Sequence, residues 1–147
     1  GDFTVEFEPN ATLLENQGAG YVVASLGVDS GFVPYTAYCA KKSYLKENPK
    51  IIQGFTNAIA KGQTYVKQHS PEEIAEVIKD QFPDTSKKDL VKIIRRYKDQ
   101  DTYKETPVFS KDGFQLLQDI LMEAGELKEG VPFSKLIDNS FAKKAAK

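Results

Sequence analysis

One cysteine, Cys39, and one histidine, His69, are all that a chain of 147 residues carries of either type, and that scarcity excludes a good deal. A lone thiol rules out an intramolecular disulfide framework and any metal site built from several cysteines. The redox compartment is therefore not readable from cystines. No apolar run approaches the ~20 residues that a membrane-spanning helix needs. An excess of either charge is missing too: 20 basic residues stand against 21 acidic ones, mixed along the length, for a net charge of -1. A nucleic-acid footprint needs a basic stripe, so no nucleic-acid partner is expected. The cluster Lys92, Arg95, Arg96 and Lys98 is balanced by Asp99 and Asp101 and reads as a solvated helix face. The chain does not open on methionine and shows no signal-peptide pattern, so a preceding segment is expected.

What is present is a globular composition, 40% hydrophobic and 28% charged, long enough to bury a core. Apolar residues alternate at Phe3, Val5 and Phe7 in the opening GDFTVEFEPN, the period of a half-buried strand. YVVASLG, almost wholly apolar, predicts a second strand over residues 21–26, covered on both faces. Pro34 leads into a third, YTAYCA, over residues 35–40. Residues 9–16 predict a short helix with proline near its first turn. From residue 48 onward helical signals take over. Asn48 and Pro49 start a helix running to about Gln68, with Ile51, Phe55, Ala58, Ile59 and Val66 on one face. SPEE at 70–73 is a capping box whose helix buries Ile74, Ile78 and Phe82. Ser86 opens a third long helix with Leu90, Val91, Ile94 and Tyr97 inward. Ser110 opens a fourth with Phe114, Leu117, Leu121 and Ala124, closed by Gly125. KDQDTYKETPVF between them predicts a loop, and short helical turns around 133–137 and 139–145 finish the chain. The predicted fold class is α/β, helix-rich, with three strands before residue 42.

Several stretches, taken in order, resemble one family. DFTVEFEPNATLLE, GYVVASLG, SGFVPYTAY and YLKENPKIIQGFTNAIAKGQTYV are similar to the C-terminal part of ABC-importer solute-binding proteins of the nitrate/sulfonate/taurine and thiamine-pyrimidine-precursor type. HSPEEIAEVI, RRYKDQDTY and FQLLQDILMEAGELKEGVPFSKLIDNSFA continue the likeness to residue 142. Members of that family are longer, with two α/β lobes of the type II periplasmic-binding-protein fold and the ligand between them. The resemblance implies that residues 1–27 are a remnant of the second lobe, 28–34 a hinge crossing, and 35–147 the C-terminal part of the first lobe. It also implies a small polar ligand, a membrane permease as partner, no cofactor and no metal, and an extracytoplasmic location with a lipid anchor upstream. With the upstream half absent, strand edges are left open and self-association is expected.

The candidate ligand-binding residues are Glu8, Pro9, Asn10, Ser30, Gly31, Tyr35 and Thr36. Strand C-termini in open α/β sheets face the ligand crevice, and Glu8, Pro9 and Asn10 end the first strand where a helix begins. Such a helix end suits an anion, whereas Glu8 itself suits a cationic or hydrogen-bond-donating ligand, or simply caps the helix. Ser30 and Gly31 lie at the implied crossing, where glycine gives a hinge its backbone freedom. Tyr35, like Tyr38, could stack on a planar ligand or serve as core or rim. No catalytic residue is expected: His69 reads as an exposed helix end and Cys39 as a small buried residue. The competing reading is a thiamine-pyrimidine synthase of the same fold family, which requires a cysteine-rich segment that this sequence does not contain.

Overall fold

The computed structural model describes residues 1–147, and helix is the only repeating structure in it. In order, the elements are α1 (Asn10–Asn16), α2 (Leu26–Asp29), α3 (Lys42–Glu47), α4 (Pro49–Gln68), α5 (Pro71–Ile78), α6 (Lys87–Asp99), α7 (Lys111–Glu123), α8 (Phe133–Leu136) and α9 (Ser140–Ala145). A 3-10 turn, Lys79–Gln81, follows α5.

The α/β expectation is overturned. Residues 3–8, 21–26 and 35–40 form no ladder, and Leu26 starts a short helix instead. Alternation reports a backbone with two unlike faces, but a strand exists only when a neighbour takes its N–H and C=O groups. None of the three segments finds one. Their apolar side chains accordingly stay in solvent, Phe3 and Tyr21 at more than 80% exposure.

The helices after residue 48 follow local chemistry. Ser70 accepts from the Glu73 N–H at 3.2 Å while Glu73 Oε2 accepts from the Ser70 N–H at 2.8 Å, a complete capping box. Ser86 caps α6 through the Asp89 N–H at 3.1 Å, and Ser110 caps α7 through the Gly113 N–H at 3.1 Å. Gly125 takes φ +76° just beyond α7, where glycine carries no Cβ penalty. Three helices differ from their patterns in detail. In α7 it is Ala124, which lies past the last helical residue and is exposed. α5 stops at Ile78, so Phe82 lies past its end and is largely exposed. On α4, Ile51 and Phe55 face solvent, and the inward stripe is Ile52, Thr56, Ile59, Ala60 and Gln63. Adjacent isoleucines at 51 and 52 let two neighbouring stripes satisfy the same period.

By internal contacts the chain divides into two compact units, Gly1–Asp29 with Val66–Tyr103 and Ser30–Tyr65 with Lys104–Lys147. In the first, α5 packs on α6 and buries Ile74, Ala75, Leu90, Ile93 and Ile94, while α1 leans on α6. In the second, Phe114 of α7 is buried with its ring edge-on to Phe109 and Phe133, at centroid distances of 6.4 and 5.5 Å. Asn139 forms a paired bridge there, accepting from the Phe109 N–H and donating to the Phe109 carbonyl, both at 2.9 Å.

Candidate functional site

Glu8, Pro9 and Asn10 lie in the first unit, at the entry to α1. The Glu8 side chain is 5% exposed, and its carboxylate is shared out inside the protein. Oε2 accepts from the Thr12 N–H at 3.1 Å, and Oε1 accepts from the Thr12 hydroxyl at 3.0 Å and from the Arg96 guanidinium. Thr12 is fully buried beneath it. The neighbouring free ends of α1 are also taken: Ala11 N–H donates to the Phe7 carbonyl and Leu13 N–H to that of Pro9, both at 3.1 Å. Glu8 therefore closes this seven-residue helix from two residues before its start, using a negative charge where the helix dipole is positive.

Arg96 is the hub. Besides Glu8 it donates to Glu15 Oε2 at 2.6 Å, and Lys92 reaches the same oxygen at 2.9 Å. Hydrogen bonds from Lys92 and then Arg96 hold the Glu15 carboxyl at about 2, well below its ordinary 4.5. Two cations and two anions thus balance on the α1–α6 seam, with Asn16 donating to Asp89 at 2.8 Å at its edge. The Tyr97 phenol oxygen accepts from the Glu8 backbone N–H, yet burial outweighs that bond and raises the Tyr97 pKa. Its ring meets Tyr103 edge-on at 5.9 Å, and burial pushes the Tyr103 phenol up as well.

Ser30, Gly31, Tyr35 and Thr36 lie in the second unit. Gly31 has φ +76°, a conformation other residues rarely adopt, and an added Cβ would meet Leu116 at 3.6 Å. The next carbonyl, Phe32 O, would stand 2.8 Å from a Cβ placed on Gly113, so the first turn of α7 needs glycine for this loop to lie against it. Lys104 Nζ sits 4.1 Å over the Phe32 ring. The loop after Gly31 is thereby pinned to α7. Tyr35 and Thr36 are exposed.

Nearly the whole chain matches YtlA. Identity is 42% over 144 residues with a protein of Bacillus subtilis (strain 168) described as "Putative binding protein YtlA", covering 98% of this chain and 43% of YtlA. The chain thus spans less than half the length of that relative. No family model matches the chain, and no solved structure matches it. The likeness to YtlA agrees with the sequence reading at its coarser level, that of a binding protein.

Arg96 is the residue that sequence reasoning missed. With Lys92, Arg95 and Lys98 it reads as a solvated face, and Arg95, which pairs with Glu72 in the open, and Lys92 are indeed exposed, whereas Arg96 is not. Lys98 Nζ instead donates to the Val66 and His69 carbonyls at 2.7 Å each, closing the end of α4. A signal for Arg96 was available: it lies three residues after buried Ile93, on the margin of the apolar stripe of α6. Cys39 is exposed rather than buried, with its thiol directed to the Ala37 carbonyl. No group of three or more His, Cys, Asp or Glu side chains is placed to hold a metal ion, and no helix is long and apolar enough to cross a membrane.

Proposed function

We propose that this chain belongs to the solute-binding component of an ABC importer, which takes up a small polar solute outside the cytoplasm and delivers it to a membrane permease. The observation that carries this reading is the 42% identity to a protein described as a binding protein, sustained over 98% of the chain. Nitrate, a sulfonate, taurine and a thiamine-type aminopyrimidine are the ligand classes to test. The α1 entry supports a ligand whose charge is not answered by Glu8, because that carboxylate is already neutralised by Arg96 and bonded to Thr12. A neutral or anionic solute fits better than a cation. Binding requires no nucleophile or base, and none of the candidate residues is asked for one. The bare apolar side chains Phe3, Val5, Tyr21 and Val23 also support self-association of this chain on its own.

A thermal-shift screen of the protein against taurine, nitrate, an alkylsulfonate and an aminopyrimidine tests the reading. Ligand that binds only the native state stabilises it by RT ln(1 + [L]/Kd). The expected result is a concentration-dependent rise in Tm with one class, confirmed by calorimetric titration. Absence of a response to all four would overturn this choice of ligand classes.

A further inference from the structure

The lysines of the second unit are unevenly placed. From Ser30 to Tyr65 there are five lysines and one acidic residue, Glu47, in a chain whose net charge is -1. Four of them, Lys41, Lys42, Lys46 and Lys50, fall within ten residues, all are exposed, and none is in an ion pair. Like-charged lysines left without counter-ions leave a local positive field that an anionic partner would relieve.

The same stretch exposes apolar side chains that a merely solvated basic face would not need. Tyr38 is 76% exposed, Ile51 59% and Phe55 45%. Tyr38 and Phe55 meet edge-to-face with centroids 4.9 Å apart, which ties the segment before α3 to the outer side of α4. Lys41 and Lys42 follow Tyr38 by three and four residues, and Lys50 directly precedes Ile51, so the four cations lie between the apolar residues along the chain.

We propose that residues 38–55 form a peripheral docking surface for an anionic lipid bilayer. Ammonium groups of Lys41, Lys42, Lys46 and Lys50 meet headgroup phosphates, and Tyr38, Ile51 and Phe55 enter the boundary between headgroups and acyl chains. Charge complementarity selects this occupant, and the apolar side chains narrow it. A bilayer surface offers negative charge and an apolar layer in adjacent planes, and lysine stems reach across that boundary. Nucleic acid fits less well. Residues 30–65 contain no arginine to fork onto phosphate or base edges. The surface is independent of the solute-binding reading and needs no ligand to be known.

Co-sedimentation of the protein with vesicles tests it, comparing phosphatidylcholine alone with an equimolar mixture of phosphatidylcholine and phosphatidylglycerol. Binding is expected only to the mixed vesicles at low salt and is expected to be lost at ~0.5 M salt, where charges are screened within a few ångströms. The double variant Lys42→Gln/Lys46→Gln should lower the partition coefficient on the order of thirty-fold. Ile51→Ser should lower it several-fold while leaving the salt dependence in place. Lys143→Gln, outside the stretch, should change it far less than the double variant does. Equal binding to both vesicle types, no binding to either, or an unaltered coefficient in a folded Lys42→Gln/Lys46→Gln variant would overturn the proposal. So would capture by soluble poly-glutamate without any by vesicles, which would point to an acidic protein partner instead.

Discussion

The two units solve the same problem with different chemistry. Around its α5–α6 apolar contact, the first fastens α1 with charge, through Arg96, Glu8, Glu15 and Lys92. The second fastens α7 with rings, amides and one glycine: Phe114 between Phe109 and Phe133, the Asn139 bridge, buried Gln118 accepting from the Val131 N–H, and Gly113 beneath Phe32. The contrast teaches where each unit is vulnerable. Charge networks respond to salt, acid and loss of a single partner, while packed rings respond to lost volume.

The largest expected effect lies in the second unit. Phe114→Ala removes a buried ring and should cost about 3–5 kcal/mol, measured by urea denaturation, with the same loss at low and high salt. Next comes Arg96→Met, which leaves the buried Glu8 carboxylate without its cation. Loss of a fully buried partner costs more, but Arg96 is partly exposed, so about 2 kcal/mol is expected. Hydrogen exchange should show the loss concentrated in α1 and α6. An Arg96→Met variant as stable as the parent would remove the basis for calling the first unit charge-fastened.

Acid sharpens the same contrast. The Glu15 carboxyl is depressed in the folded chain to about 2 from 4.5, so the unfolded state binds a proton first as pH falls. Its contribution is complete above about 4.5 and is lost progressively as pH drops toward 2. Amides of α1 should lose protection across that window before those of α7, and Glu15→Gln should flatten the slope. Smaller still is Ser70→Ala, about 1 kcal/mol from loss of the cap on α5, read as a lowered denaturation midpoint. Least of all, Lys79→Ala should leave the midpoint unchanged, since its pair with Glu76 is open to water.

How far the sequence could be read follows from where each element finds its hydrogen bonds. α4 to α7 satisfy theirs within themselves, and Pro49, Ser70, Ser86, Ser110 and Gly125 mark their starts and the end of α7. Their existence was therefore legible, though the stop of α5 before Phe82 was not. Residues 3–8 showed strand alternation and 21–26 and 35–40 apolar runs, but neither pattern contains information about a partner, and no sheet forms. The Arg96–Glu8 pair spans 88 positions of sequence. Nothing local in KIIRRYKD distinguishes the arginine that turns inward from the one that stays out, except its distance from Ile93. At the α1 entry the sequence left Glu8 open between ligand contact and cap, and the structure directs its oxygens to Thr12 and Arg96.

Lys98 is fixed in a way that alters its reactivity as well as its position. Its nitrogen donates to two main-chain oxygens at 2.7 Å, and it acts as an acylation nucleophile only after giving up a proton and leaving those oxygens. Lys41 and Lys42, bare in solvent, have no such main-chain oxygens to leave. Treated briefly with an amine-selective anhydride, the protein would be modified at these two well before Lys98. Acylation that did reach Lys98 would release the last turn of α4, so this one amine records whether that helix end has opened.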